Sequence, residues 1–291
     1  MKRVLIIGNP RAGISKKEKY YKLIKNYLSE HFDHVEIIFS KEKGENHLIA
    51  KQEKDNYDLI VAWGGDGTIN EVGTALINTE KPLGIIPGGS GNGLARGLNI
   101  PLNLKQALNI IANERDIKID VGKINDKYFL NVAGVGFDAK ISYDFNSQMK
   151  KRGILGYIYC GLINYSNFKP FELEINQNGN KMVFSSIIIT AFANFREYGG
   201  KAIIAPFASP YDGMLDICIV TKMPFLKALS KLNYLFSGKI HKLPTYQTFK
   251  IENLKISLDK PEYFHYDGEI GYQTQEINIS IFSRALKVRI I

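Results

Sequence analysis

Cysteine is nearly absent. Cys160 and Cys218 are the only two in 291 residues; they stand far apart, and neither belongs to a CxxC pair. That excludes a disulfide framework or a structural zinc site as the organising feature, and such usage fits a reducing cytosol. Long apolar runs are missing as well. No stretch reaches the roughly 18 residues of a membrane span, and the basic-then-apolar start Met1 to Gly8 halts at Asn9-Pro10, too soon for a signal peptide. The five histidines, His31, His34, His47, His241 and His265, show no ligand spacing. No Ser/His/Asp or Cys/His constellation stands out, and there is no internal repeat, low-complexity segment or Pro/Ser-rich linker.

Acidic charge is in deficit. Thirty-eight Lys and Arg against 29 Asp and Glu give a net charge of +9 and a pI near 9.2, which favours a nucleotide, a nucleic acid or an acidic membrane surface as partner. No nucleic-acid recognition motif supports the second of these. The densest basic cluster, Lys150-Lys151-Arg152, precedes the aromatic-rich apolar segment Ile154 to Ile163. That segment reads as a core helix with a solvated start, or alternatively as an element lying in a membrane interface. With 45% hydrophobic and 23% charged residues, the chain can build one large core or two ordinary ones.

What is present centres on Tyr57 to Glu71. Leu59 to Trp63 is apolar without alternation, as in a strand covered on both faces of a parallel sheet. It ends in Gly64-Gly65-Asp66-Gly67, a glycine turn with one acid at its apex, and enters a helix through Thr68. A purely structural reading also exists, because Thr68 and Glu71 fit a capping box. Strands at Val4 to Gly8, Val35 to Phe39, Leu59 to Trp63 and Leu83 to Pro87 alternate with helical patterns at Lys16 to His31, Asn46 to Gln52, Ile69 to Ile77 and Leu104 to Ala112. This predicts a doubly wound α/β domain over residues 1–119 with a mostly parallel sheet. Glycine turns follow three of the strands, at Asn9 to Gly13, Gly64 to Thr68 and Gly88 to Gly93. All three should emerge on one sheet edge, where bare backbone can approach phosphate oxygens. They match neither the GxxxxGK[ST] loop nor the GxGxxG fingerprint.

From about Asp120 the texture changes to β-branched and aromatic runs: Tyr128 to Val132, Phe171 to Ile175, Met182 to Ala191, Leu215 to Val220, Phe249 to Leu258, Ile277 to Phe282 and Leu286 to Ile290. Helices interrupt near Ile154 to Asn164 and Phe225 to Phe236. Residues 120–291 thus read as a largely antiparallel β-sandwich domain, with room for the last residues to return to the first domain. Without a linker the two domains should pack tightly, with the active site in the cleft between them. Asp212-Gly213 and Asp267-Gly268 read first as hairpin turns.

Taken together, Asn9-Pro10 to Gly13, Gly64-Gly65-Asp66-Gly67-Thr68-Ile69-Asn70-Glu71, Ile86 to Asn92, Asp120-Val121-Gly122, Asn131 to Ala139, Asp212 to Asp216 and Asp267-Gly268-Glu269 resemble, in order, the diacylglycerol kinase catalytic-domain family. The likeness is to its soluble bacterial lipid kinases, relatives of sphingosine and ceramide kinases and, more distantly, of NAD kinase. The resemblance implies an ATP-dependent lipid kinase using Mg2+ that works on diacylglycerol, with a sphingoid-base or other long-chain lipid kinase as the enzymatic alternative. A non-catalytic nucleotide-binding regulator is the alternative of another class. It also implies a nucleotide site at Asn9, Pro10, Arg11, Ala12, Gly13, Ser40, Gly64, Gly65, Asp66, Gly67, Thr68, Ile69, Asn70 and Ser90. Asp66 would orient metal and phosphate, Ser209, Asp212 and Met214 would form the magnesium position, and Glu269 would be the general base. Arg11-Ala12 stand where the family often has small hydroxyl residues, and Ser90-Gly91-Asn92 is as close to the sphingosine-kinase loop as to the diacylglycerol one. The expected setting is cytoplasmic and peripheral at the inner membrane surface, with a membrane lipid as substrate, transient contact with anionic lipid, no nucleic acid, and pairing of two copies left open.

Overall fold

The structure, a computed structural model, describes residues 1–9, 17–148, 154–177 and 180–290. The chain divides into two compact units, Met1–Ile119 with Arg284–Ile291, and Asp120–Ser283.

In the first unit β1 (Arg3–Gly8), α1 (Lys17–Leu28), β2 (His34–Phe39), α2 (Glu45–Glu53), β3 (Leu59–Gly64), α3 (Asp66–Thr74), β4 (Leu83–Pro87), α4 (Gly93–Gly97) and α5 (Leu104–Ala112) follow one another. The four strands are parallel in the order β2, β1, β3, β4. Every position of β3 is buried, as its unbroken apolar run requires. In β1 the two-residue period sorts side chains by face. Val4 and Ile6 join Ile24 and Leu28 of α1 and Leu108 and Ile111 of α5 in one core, while the equally buried Leu5 and Ile7 are left for the side where α2 packs with α3. Asn103 starts α5 by accepting the Gln106 N–H at 3.3 Å, an ordinary side-chain N-cap.

The second unit contains β5 (Asp116–Ile124, entering from the first), β6 (Lys127–Phe129), β7 (Val132–Gly136), α6 (Phe137–Gln148), α7 (Ile154–Tyr165), β8 (Phe171–Gln177), β9 (Asn180–Ala193), β10 (Glu197–Gly199), β11 (Ala202–Ile203), β12 (Leu215–Thr221), α8 (Phe225–Lys231), α9 (Asn233–Phe236), β13 (Tyr246–Ile251), β14 (Asn253–Tyr266) and β15 (Glu269–Arg289). The long strands β9 and β14 each pair antiparallel with both β7 and β8. Each therefore serves two layers, as strands do at the corners of a sandwich, and β9 turns near Ser186, whose φ is +59°. The main core fills the interior with Phe129, Phe171, Phe192 and Phe264 among its largest members. β12 lies between two cores: Leu215, Ile217 and Ile219 enter this one, and Cys218 and Val220 enter a second with Phe137, Ile188 and Tyr246.

Four predicted strands have different limits. Tyr128 to Val132 is broken at Leu130-Asn131, whose N–H groups are taken by Asp267 rather than by a ladder partner. Phe249 to Leu258 is split at Glu252 between β13 and β14. Ile277 to Phe282 and Leu286 to Ile290 are one strand, β15, with Arg284 at φ +50° where the chain passes from the second unit to the first. Helix α6 was not anticipated; its sequence, Phe137 to Gln148, has no clear apolar stripe.

The end of β15 adds Val288 beside Leu83, parallel to β4. Beyond it the nearly buried Arg289 is tied to Asp116, Nε to Oδ1 at 2.7 Å and Nη2 to Oδ2 at 3.3 Å, and donates Nη1 to the Ile111 carbonyl at 3.1 Å. Without Arg289, Asp116 would keep among the described residues only Lys287, 3.7 Å away, and breaking a buried pair is costly. Arg289→Ala is expected to cost about 3 kcal/mol of unfolding free energy, read from the denaturation midpoint at unchanged slope.

Candidate active site

The carboxyl ends of the parallel strands lie side by side. Gly8 pairs with Trp63 and with Phe39, and Gly64 with Pro87, so β1, β3 and β4 end at the same edge of the sheet. The turns after β3 and β4 touch backbone to backbone. The Gly88 N–H donates to the Gly64 carbonyl at 2.7 Å, and a methyl carbon on Gly89 would lie 2.6 Å from the Gly65 Cα. The glycines are thus demanded by the contact of the turns with each other.

Asp66 opens α3, and its Oδ1 accepts the N–H of Gly93, the first residue of α4, at 2.7 Å. Its other oxygen leaves no space beside Gly91, where a Cβ would sit 2.8 Å away. Each first turn is a place where an acid is electrostatically favoured. Asn92, between them, is left-handed at φ +51° and grips Gly89 twice, accepting its N–H at 2.9 Å and donating to its carbonyl at 2.7 Å. It was not among the predicted site residues. Its signal was an Asn within a glycine loop, the residue that tolerates left-handed backbone and bonds it locally.

The capping box of the purely structural reading does not form. The helix begins at Asp66 with Gly65 as its cap, so Thr68 falls inside the first turn and lies against Gly64. Glu71 instead reaches α2, accepting the Gly44 N–H at 3.0 Å and the Asn46 amide at 2.6 Å. Of the other predicted nucleotide residues, Thr68, Ile69 and Asn70 are buried in α3, Ser40 is buried with its N–H on the Gly8 carbonyl at 3.0 Å, Gly67 is half-buried and Ser90 is exposed. Asn9 donates its N–H to the Trp63 carbonyl at 3.4 Å. Pro10, Arg11, Ala12 and Gly13 lie outside the described residues.

In the second unit Asp267 and Gly268 both have positive φ, +48° and +83°, the pair that a two-residue type I′ hairpin needs. Asp267 does more than turn the chain. Its carboxylate accepts the N–H groups of Leu130, Asn131 and Val132 at 2.7, 2.8 and 3.1 Å, and its own N–H donates to the Val132 carbonyl at 3.0 Å. Glu269, half-buried and paired with Tyr266, follows directly, so a charge-assisted clamp holds the hairpin that presents it.

Asp120 plays the equivalent part at the second Asp-Gly. It accepts the Gly213 N–H at 2.8 Å, and its N–H donates to the Pro210 carbonyl at 2.8 Å. This shapes the loop that carries Ser209, Asp212 and Met214. The Asp212 carboxylate accepts the Met214 N–H at 3.1 Å and the Lys250 ammonium at 2.8 Å, and Lys250 also reaches Asp216 at 2.8 Å. Burial alone would lower the Lys250 pKa, but the two carboxylates prevail and raise it. Among the described residues no group of three or more His, Cys, Asp or Glu side chains could hold a metal ion. Hydroxyl, carboxylate and main-chain oxygens at Ser209, Asp212 and Met214 are nevertheless the donor type that Mg2+ takes.

One cluster was not among the predicted site residues. On buried ground between α6 and β14, Asp138 accepts the Tyr198 hydroxyl at 2.8 Å, the Ala139 N–H at 2.9 Å and His265 Nε2 at 3.1 Å. Gly134 makes room for it, since a Cβ there would lie 2.2 Å from Asp138 Oδ2. Burial first, and then the Asp138 charge, push the Tyr198 pKa well above its ordinary value.

Residues 3–124 match the family model of the diacylglycerol kinase catalytic domain, and residues 131–289 that of the YegS C-terminal NAD kinase beta sandwich-like domain. A diacylglycerol kinase of Staphylococcus aureus strain MRSA252 is 31% identical over 93% of this chain and 87% of its own. The chain belongs to the diacylglycerol kinase family of ATP-dependent lipid kinases. A Bacillus subtilis diacylglycerol kinase is 29% identical over 93% of this chain and 91% of its own. In structure, a candidate diacylglycerol kinase from Bacillus anthracis str. Sterne superposes with a TM-score of 0.85 at 26% identity, covering all of this chain and 95% of the other.

The glycine contact can be tested. Gly89→Ala must separate the two turns or strain them, a cost of about 1 to 3 kcal/mol. Such a variant should still fold but lose the rise in melting temperature that ATP gives the wild type, measured by thermal unfolding with and without nucleotide.

Proposed function

We propose that this lipid kinase transfers the γ-phosphate of Mg-ATP to the hydroxyl of diacylglycerol, giving phosphatidic acid and ADP. The reading is carried by the pair of glycine turns locked at Gly65 and Gly89, with Asp66 fixed between two helix starts. Bare backbone there suits phosphate oxygens, and phosphoryl transfer asks for positioning and charge neutralisation more than for covalent help. The first unit would bind nucleotide and the second would bring the lipid.

In the reaction the lipid hydroxyl oxygen forms a bond to the γ-phosphorus, the bond from that phosphorus to the β–γ bridging oxygen breaks, and ADP leaves. Glu269 takes the hydroxyl proton, and Asp267 holds it in place through its three N–H partners. Asp66 orients the phosphate end. Ser209, Asp212 and Met214 would hold Mg2+, sharing the Asp212 carboxylate with Lys250; the ion supplies neutralisation of phosphate charge.

Relatives named diacylglycerol kinase support the choice of lipid. Ser90-Gly91-Asn92, close to the sphingosine-kinase form of the loop, favours a sphingoid base as the second reading. Labelled γ-phosphate offered with diacylglycerol, sphingosine and ceramide in separate mixed micelles decides between them. Glu269→Gln is expected to lower kcat by roughly 10² to 10⁴ while leaving the ATP-induced thermal shift intact, and Asp66→Asn to diminish both. Full turnover in Glu269→Gln would remove it from the chemistry, and no label in the wild type would turn the reading toward a nucleotide-binding regulator.

A further inference from the structure

Two aspartates of the second unit share one lysine. Asp216 lies on β12, which is paired with β9 on one side and β13 on the other, and Lys250 of β13 stands directly opposite it. Across that pair the Lys250 ammonium reaches Asp216 Oδ2 at 2.8 Å. The same nitrogen lies 2.8 Å from Oδ2 of Asp212, in the loop that leads into β12.

The two partners differ in what they need from it. The Asp216 side chain is 5% exposed and sits in the sheet, whereas that of Asp212 is 34% exposed. A carboxylate buried so far must keep its counter-ion, because stranding it is costly; an open pair is worth little. The bond to Asp216 is therefore the fixed one and the bond to Asp212 the exchangeable one. Asp212 Oδ1 meanwhile accepts the Met214 N–H at 3.1 Å. The oxygen left for a metal ion is Oδ2, the one that Lys250 holds.

The loop itself is shaped by protein groups. Asp120 accepts the Gly213 N–H and donates its own N–H to the Pro210 carbonyl, each at 2.8 Å. An ion arriving at Asp212 would thus meet a formed loop and a positive charge already seated on its ligand. Mg2+ is bound through oxygens and gives up its waters reluctantly, so it and the ammonium contend for a single carboxylate oxygen.

We propose that Lys250 is a tethered counter-cation, which holds Asp212 Oδ2 in the metal-free protein and yields it to Mg2+ by falling back on Asp216. This rests on the reading of Ser209, Asp212 and Met214 as the Mg2+ position and names the residue that sets its affinity. A lysine that only braced the sheet would, on removal, lower stability without improving the binding of any ion.

The test is calorimetric titration of the full chain with Mn2+ in the absence of nucleotide, with Mg2+-dependent melting as a second reading. Lys250→Met should bind Mn2+ about tenfold more tightly than the wild type, since a unit charge a few ångströms from a divalent ion counts even under water's screening. Mg2+ should also raise its melting temperature by more. Lys250→Arg keeps the charge and should bind as the wild type does. Adding Asp212→Asn to Lys250→Met should abolish the gain. Because Lys250→Met strands Asp216, the double variant Lys250→Met with Asp216→Asn repeats the measurement without the stranded charge, and it too should bind more tightly than the wild type.

Mn2+ binding no tighter than wild type in both variants that lack Lys250 overturns the inference and leaves the Mg2+ position standing. A gain that survives Asp212→Asn, or no ion bound by any form, overturns the inference and that position together. A gain that Asp212→Asn removes, in an enzyme that phosphorylates no lipid offered, upholds the role of Lys250 and overturns only the substrate reading.

Discussion

The contact that the carboxyl edge of the parallel sheet depends on is made by side chains that are not there. Gly65 and Gly89 let the turns after β3 and β4 meet backbone to backbone. Only with that contact made can Asp66, at the head of α3, reach the first N–H of α4, and only then does the Asn92 side chain close on Gly89. A single methyl group at Gly89 would disturb all three, because the neighbour it would meet is main chain, which cannot swing aside as a flexible side chain can.

Aspartate does the corresponding work in the second unit. Asp267 collects three consecutive N–H groups, Asp120 receives that of Gly213, and Asp212 that of Met214. In each case an ionised acceptor holds main-chain donors that the β-ladders leave over, and charge-assisted bonds of this kind are stronger than neutral ones. The interruption between β6 and β7 and the tip of the β14–β15 hairpin are thus one feature, and Glu269 inherits its position from it. The Asp138 cluster follows the same pattern at greater depth, with a tyrosine and a histidine sharing the acceptor.

Much of the first unit was legible in its residues. Runs such as Leu59 to Trp63 and Leu83 to Pro87 have one physical solution, a strand buried on both faces, and the observed strands follow them. The second unit was legible as texture but not as limits. Phe249 to Leu258 is apolar and β-branched across the turn at Glu252, and no local signal separates one long strand from two. Helix α6 was hidden because its partners, among them β14, are supplied from distant sequence. In the site, the glycine turns and the Asp-Gly pairs were visible as motifs, whereas the grip of Asp267 on Leu130 to Val132 spans 135 to 137 residues and leaves no trace in spacing.

By itself the sequence determined the alternation of strand and helix up to Ile119, the change to antiparallel β texture beyond it, the family, and the excess of positive charge, because periodicity, composition and glycine motifs are local properties. The tertiary structure alone decided that Thr68 is no cap, that Glu71 serves α2, that Asn92 locks the glycine loop, that Lys250 shares Asp212 and Asp216, and that Asp138 meets His265. The Glu71, Lys250 and Asp138 contacts are pairings between separate stretches of chain. Which donor finds which acceptor is settled by packing, since a buried polar group must be satisfied by whatever the fold brings within reach.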